Sequence, residues 1–403
     1  MTTKFKGFKS ISELKYEQKV FQCDKCGNVC EVTEIKTPEG VLYHGDTCER
    51  YSGMHKEKLI KENLFKEREK ILMSYHKRNN GKKIGLARTG MFNEIAPFFF
   101  AFFNEIGFDA VISRKTDKAI MSQGVERATA DAFCFPMKVA FGHYHELEEK
   151  ARNKEIDYIF VPNIIEAYRS KFFDVDEITN LEIIEETGWD RSQTCPFLQN
   201  FNALITKNFP AEKIISSYLS FREGNLVKAL TDSMNGSSEK QVARAVEFGK
   251  EAYFDFKKKI SEIGKDVLEN LDKKAIVLVG RPYATFDEAI NLRVVKKVLD
   301  QGFQIIPQDF LPLANEDLSK EWPNEFSIQG QLTLNAANVI RKNPNLEAVF
   351  LDYYSCGPNS FIKNFFFEEI GGTEKPYLTL QIDEHTADAG LVTRLEAFLD
   401  SIK

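Results

Sequence analysis

The sequence predicts an α/β protein of two Rossmann-like, doubly wound domains. A helical connector joins them, and a small Cys-rich metal-binding segment precedes them. Three observations predict this. Short apolar runs alternate with helical patterns in two separate stretches, as parallel βαβ units require. A long charged helical stretch lies between those two. Four of the seven cysteines fall within residues 1–53. A length of 403 residues suits two or three units at roughly 150 residues each, and 43% hydrophobic residues suffice to bury their cores.

Residues 1–53 are polar and turn-rich. Cys23, Cys26 and Cys30 stand at metal-knuckle spacing, and Cys48 follows in His44-Gly-Asp-Thr-Cys-Glu-Arg50. A segment so poor in core residues needs a staple. Four thiolates satisfy tetrahedral zinc or an iron–sulfur cluster equally, so the expected metal centre is one or the other. Residues 54–78 predict a charged helix with Leu59, Leu64, Ile71 and Leu72 as its apolar stripe. Asn79-Asn-Gly81 breaks the chain, and a first Rossmann-like domain is expected over 79–210. Its strands are Ile84–Ala87, Asp109–Ser113 and Tyr158–Val161; its helices are Asn93–Glu105, Val139–Arg152 and Pro196–Lys207. Residues 211–272 predict the helical connector, and 273–403 the second domain. There the strands are Ala275–Gly280, Gln304–Pro307, Ala348–Asp352 and Leu378–Ile382, with helices over Phe286–Leu299 and Ala389–Ile402.

The formal net charge of −6 speaks against non-specific nucleic-acid binding, which needs a basic footprint. The longest apolar run, Ile95–Phe103, contains Pro97 and falls short of the ~20 residues that span a bilayer. The amino-terminal residues lead into no apolar signal region. A cytoplasmic location with no membrane and no nucleic-acid partner is expected. An odd cysteine count without an export signal favours metal-binding or catalytic thiols over disulfides.

Cys134, Cys195 and Cys356 each stand just before a proline with a helical pattern after it. Proline suits the first turn of a helix, so each cysteine is expected at a helix N-terminus, on the strand-end rim where open α/β sheets bind ligands. Free N–H groups there favour thiolate. Three thiolates from two domains would leave one iron of a [4Fe–4S] cluster open; three unrelated buried cysteines would look the same in sequence. Arg281, in Val279-Gly-Arg-Pro-Tyr283 between a strand and a helix, suits an anion site or a structural salt bridge. The turn lacks the Gly-Lys-Ser/Thr ending of a phosphate loop, and no segment carries the dinucleotide fingerprint. His385, after the last strand, suits proton transfer or helix capping, and His143 stands just beyond Cys134.

Phe133-Cys-Phe-Pro-Met-Lys138 with Gly142-His143, Thr194-Cys-Pro-Phe197, Gly280-Arg-Pro-Tyr283, Ser355-Cys-Gly-Pro358 and Asp383-Glu-His-Thr-Ala-Asp-Ala-Gly390 together resemble a known family. It is an uncharacterised branch related to the 2-hydroxyacyl-CoA dehydratase and benzoyl-CoA reductase superfamily. The branch occurs alone or as the carboxy-terminal region of large 2-hydroxyacyl-CoA dehydratase activator proteins. Gly45-Asp-Thr-Cys-Glu-Arg50 resembles the Cys-rich segment found there.

The resemblance implies a [4Fe–4S] cluster on Cys134, Cys195 and Cys356 in an interdomain cleft, with the amino-terminal cysteines as a second metal centre. It implies anaerobic electron-transfer chemistry in which a separate ATP-hydrolysing iron–sulfur activator injects an electron. A CoA thioester then loses water through a ketyl radical. A paralogous subunit or a homodimer completes the expected assembly. If the chain is an enzyme, it is then a dehydratase-like lyase or a low-potential reductase. Two alternatives stand beside that reading: a non-catalytic electron-relay or maturation protein, and a double-cubane-cluster reductase of small molecules.

Overall fold

The computed structural model describes residues 14–25, 28–46, 50–52, 62–168, 192–206, 213–221, 225–234, 236–313, 321–322, 324–386 and 388–403. They fall into two compact units, residues 1–60 with 117–119, and residues 61–116 with 120–403.

The first unit is a three-stranded antiparallel sheet, β1 (Glu17–Gln22), β2 (Glu31–Thr37) and β3 (Gly40–His44), in the order β1-β2-β3. Gly40 turns the β2–β3 hairpin at φ 144, a conformation that glycine adopts freely. In the β1–β2 loop the Cys23 N–H donates to the Cys30 carbonyl at 2.8 Å, so those two cysteines face each other across it. Cys26, Cys48 and residues 53–61 lie outside the described residues. The expected metal-binding segment is thus described here only as a small sheet bearing Cys23 and Cys30.

The second unit holds two four-stranded parallel sheets flanked by helices, a Rossmann-like α/β arrangement. One sheet has the order β5-β4-β6-β7, from β4 (Lys82–Leu86), β5 (Phe108–Ile112), β6 (Tyr158–Glu166) and β7 (Ile214–Ser220). The other has the order β11-β10-β8-β9, from β8 (Ala275–Val279), β9 (Gln304–Pro307), β10 (Leu346–Tyr353) and β11 (Tyr377–Ile382). Both orders contain a switch point, where successive crossovers leave in opposite directions: between β4 and β6, and between β8 and β10. Ligands of open α/β sheets bind at such points, beyond the strands' carboxyl ends.

The helices are α1 (Leu64–Ser74), α2 (Phe92–Glu105), α3 (Lys118–Arg127), α4 (Phe135–Arg152), α5 (Pro196–Gln199), α6 (Phe201–Ile205) and α7 (Asn225–Ser233). There follow α8 (Glu239–Glu269), α9 (Pro282–Thr285), α10 (Val294–Asp300), α11 (Ile328–Lys342), α12 (Gly357–Glu369) and α13 (Asp388–Ser401). No helix among the described residues is long and apolar enough to cross a membrane.

Three features depart from the expected elements. β7 falls inside the stretch expected to be a helical connector; its exposure alternates with period two, and it pairs with β6. Residues 286–299 do not form one helix. Asp287 accepts from the N–H groups of Ala289 and Ile290, and Leu292 and Arg293 adopt left-handed backbone before α10 begins. The charged helix α1 buries Leu64 and Leu72 of its stripe together with Arg68, which is 1% exposed, while Ile71 is half-buried and Leu59 lies outside the described residues.

Arg68 is held by the consequence of a proline. Pro97 inside α2 has no N–H for the carbonyl of Asn93 four residues earlier. The Arg68 Nη2 donates to that carbonyl at 2.9 Å. The same guanidinium donates from Nε and Nη2 to Asp309 Oδ2 at 2.8 and 2.6 Å and lies 3.7 Å from the Phe286 ring centroid. Asp309 and Phe286 belong to the second lobe, the part of this unit built on the β8–β11 sheet as the first lobe is built on the β4–β7 sheet, so one cation ties α1 and α2 to it.

Helix α8 spans both lobes, capped by a reciprocal Ser238–Gln241 box. Against α2 it packs Gly249, where a Cβ would lie 2.7 Å from the Phe98 ring. Against the segment Gln308–Phe310 it packs Gly264, where a Cβ would lie 1.9 Å from the Phe310 carbonyl oxygen. Gly264→Ala is expected to lower stability by about 1–3 kcal/mol through overpacking. Gly390→Ala on α13 meets open space and should add about 0.5–1 kcal/mol from helix propensity. Urea denaturation midpoints of the two variants check the contrast.

Candidate functional site

Cys134, Cys195 and Cys356 are the N-cap residues of α4, α5 and α12, each with proline in the first helical turn. Backbone N–H groups favour the thiolate at each sulfur, Met137 for Cys134, Phe197 and Leu198 for Cys195, and Asn359 for Cys356, although none of the three side chains makes a cap hydrogen bond. Cys134 and Cys356 are 5% exposed. The Cys134 thiol hydrogen-bonds the Cys356 sulfur, and Cys195 lies within electrostatic reach of both. Two cysteines from the first lobe and one from the second thus converge.

The pair Cys134–Cys356 shares one proton unequally. The hydrogen bond from Cys134, reinforced against burial by the Arg281 charge and the Asn359 N–H, pulls Cys356 down to about 6. The same hydrogen bond, with burial added, pushes Cys134 well above the usual thiol range. Burial also raises Cys195, against the N–H groups of Phe197 and Leu198 and the Arg281 charge. Unliganded at neutral pH, the site therefore holds one thiolate and two thiols.

Arg281 supplies the counter-charge. Gly280, at φ 151 with the Leu351 carbonyl 3.1 Å from where a Cβ would be, lets the chain turn sharply after β8. Arg281 then caps α9 at 2% exposure. Burial opposes its charge, and Tyr283, Cys356, Cys195 and Glu325 more than offset that penalty. Its Nε is buried without a hydrogen-bond partner, which suits an anion site.

His143 is fully buried rather than at the thiols. Its Nδ1 pairs with Ser113 Oγ and its Nε2 with Thr116 Oγ1, both at 2.9 Å. The Thr116 hydroxyl donates to Asp287 Oδ2, so Nε2 carries the proton donated to Thr116. This chain crosses from the end of β5 to the loop that follows Arg281. His385 stands exposed on the turn after β11, its backbone N–H donating to Asp383 Oδ1 at 2.9 Å. Its neighbour Glu384 reaches the other lobe instead, ion-paired to Lys138 one helical turn after Cys134. Both partners stand in motifs read from the sequence, which gave neither of them a role.

The other wall of the Gly280–Thr285 turn faces a cleft of about 770 Å³, lined among others by Glu94, Lys257, Asp309, Gln329 and Phe310. That volume suits a small organic molecule. Gln329 Nε2 donates to both Glu94 carboxyl oxygens at 3.0 and 2.8 Å. Burial raises the Glu94 carboxyl and lowers the Lys257 amine, the latter against the charges of Asp309 and Glu94. Two groups driven toward neutrality in one cleft are suited to exchanging protons.

Among the described residues no group of three or more His, Cys, Asp or Glu side chains is placed to hold a metal ion. The convergent thiols, backbone N–H groups and unpartnered Arg281 Nε fit a larger anionic group.

A family model described as CoA enzyme activase uncharacterised domain (DUF2229) matches residues 83–311, more than half of the chain. No curated protein matches. Among solved structures, ZnuA is 11% identical, with 80% of this chain and 98% of that chain covered, at a TM-score of 0.22. A zinc-bound 138–173 deletion mutant of ZnuA is 12% identical, with 80% and 97% covered, at 0.21. The lac repressor dimer bound to operator and the anti-inducer ONPF is 11% identical, with 76% and 92% covered, at 0.19. Scores this low carry no argument.

The thiol electrostatics make a direct prediction for the metal-free protein. Carbamidomethylation of Cys356 by iodoacetamide, followed by peptide mass spectrometry, should rise through a midpoint near pH 6. In Cys134→Ala the midpoint should climb toward the ordinary thiol value of ~8.5, because the donor that stabilises the thiolate is gone.

Proposed function

Because the chain belongs to the family of CoA enzyme activase uncharacterised domains, we propose that it is the iron–sulfur component of an ATP-driven radical dehydratase or reductase system for CoA thioesters. Cys134, Cys195 and Cys356 would hold a [4Fe–4S] cluster. The observation that carries this reading is the meeting of three proline-capped cysteines, from two lobes, beside a buried arginine. When bound, such a cluster supplies low-potential one-electron chemistry and an open iron.

The chain's own residues set the conditions for that chemistry. Cys356 offers a thiolate at neutral pH, whereas Cys134 and Cys195 surrender protons on ligation, so assembly favours higher pH. Arg281 offsets the accumulated negative charge from the second lobe. The adjoining cleft gives a substrate room, with Phe286, Phe310 and Leu332 as its apolar lining. Glu94 and Lys257 hold and deliver protons at its floor. Lys138–Glu384 and Thr116–Asp287 keep the lobes closed around both. The electron would come from a separate ATP-hydrolysing iron–sulfur activator.

Anaerobically purified protein should contain about four irons and four acid-labile sulfides at this site, with an EPR signal on reduction. Cys134→Ala, Cys195→Ala and Cys356→Ala should each lose that complement as a whole. Zinc without sulfide, or three variants that behave independently, would overturn the reading. Turnover of a 2-hydroxyacyl-CoA with activator and ATP separates an enzyme from an electron relay, which would exchange electrons without consuming the thioester.

A further inference from the structure

Strand β10 is buried along its whole length and ends at Tyr353, which is 0% exposed. The Tyr353 hydroxyl has no hydrogen-bond partner. A buried hydroxyl left unmatched costs about 1–3 kcal/mol, and phenylalanine would fill the same space without that penalty. Packing therefore accounts for the ring and leaves the oxygen unexplained.

The surroundings narrow what the hydroxyl can serve. Burial, and then the charges of Asp287, Cys356, Asp352 and Cys134, hold its proton far above the usual phenol range, so it is a neutral donor. Both neighbouring carboxylates are already engaged. Asp352 accepts from the Tyr353 backbone N–H at 2.9 Å, Asn359 Nδ2 at 3.0 Å and Lys363 Nζ at 3.4 Å. Asp287 accepts from Ala289, Ile290 and Thr116. What remains on that side is the thiol site. Arg281 Nε, another unmatched buried donor, belongs to a guanidinium whose charge Cys356 and Cys195 help to stabilise. Tyr353 ends β10 and Arg281 follows the adjacent strand β8, and the two strands pair with Phe350 opposite Val279 at the sheet's switch point.

We propose that Tyr353 Oη and Arg281 Nε are a matched pair of hydrogen-bond donors to the anionic group gripped by the three cysteines, and that they raise its reduction potential. The inference rests on the iron–sulfur reading above. Both are positioning residues. A donor favours whichever redox state carries more negative charge, and that is the reduced state. Removing one donor destabilises the reduced state by about one hydrogen bond, a shift of roughly tenfold in the reduction equilibrium.

The test is a mediator-poised reductive titration of the anaerobically purified protein, followed by EPR, with iron and sulfide measured on each sample. Tyr353→Phe should retain iron and sulfide, melt at an unchanged or higher temperature, and sit about tenfold further toward the oxidised state at a fixed potential. A hydroxyl with a purely structural role would lower the melting temperature and leave the equilibrium alone. Arg281→Lys keeps the charge and loses the Nε donor, and should move the equilibrium in the same direction. A full cluster with an unmoved equilibrium in both variants overturns this pair while leaving the iron–sulfur reading intact. Wild-type protein without iron and sulfide overturns both.

Discussion

The geometry of the thiol site depends on one buried cation. Cys134 and Cys195 belong to one lobe and Cys356 to the other, so they meet only while the lobes hold a fixed relation. Arg68 supplies much of that constraint, joining the Asn93 carbonyl freed by Pro97 to Asp309 across the lobe boundary. Breaking a buried pair of this kind leaves a charge unmatched and costs about 3–5 kcal/mol. The contact is therefore an obligatory one, more than a source of net stability. Replacing the whole cluster with apolar residues could hold the lobes equally well, but it would also remove Asp309 from the floor of the cleft.

Competing terms at the thiols explain why the site is prepared for a ligand without being wholly ionised. Burial alone would keep all three sulfurs protonated. Helix-terminal N–H groups and Arg281 work in the opposite direction, and only at Cys356 do they win, because Cys134 adds a direct hydrogen bond there. Unliganded, the site carries one negative charge next to one arginine. A metal or cluster that displaces the two remaining protons would bring the negative charge that the free Arg281 Nε and Tyr353 hydroxyl can then meet.

Much of this was legible in the sequence wherever the cause was local. Proline after cysteine announces a capped helix, and the apolar runs of β4, β8 and β10 announce buried strands, since neither depends on distant residues. The strand β7 was hidden because Ile214-Ile-Ser-Ser-Tyr-Leu-Ser220 alternates weakly within a helix-rich composition, and its pairing with β6 supplies what its own pattern lacks. The turn at Asp287 was hidden because a run of helix-compatible residues masks a side chain that caps its own backbone. His143 and His385 drew notice as histidines, yet their placement follows from burial, which reading along the chain does not give. Tyr353, Thr116 and Glu94 carried no local mark, because their chemistry arises only when the two lobes meet.

The cleft and the thiol site are separate in their lining, but one turn serves both. Gly280, Pro282 and Thr285 line the cleft, while Arg281 between them interacts electrostatically with Tyr283, Cys356 and Cys195. The turn is held from three sides. Gln308 Oε1 accepts from the Gly280 N–H at 3.1 Å, Asn291 Nδ2 donates to the Thr285 carbonyl at 2.9 Å, and Asp287 is gripped by Thr116 of the other lobe. A ligand that pressed on Pro282 or Thr285 could not shift them without carrying Arg281 along, since Arg281 and the four helical residues it caps move as one. Occupancy of the cleft and the charge presented to the sulfurs are thereby linked through covalent structure.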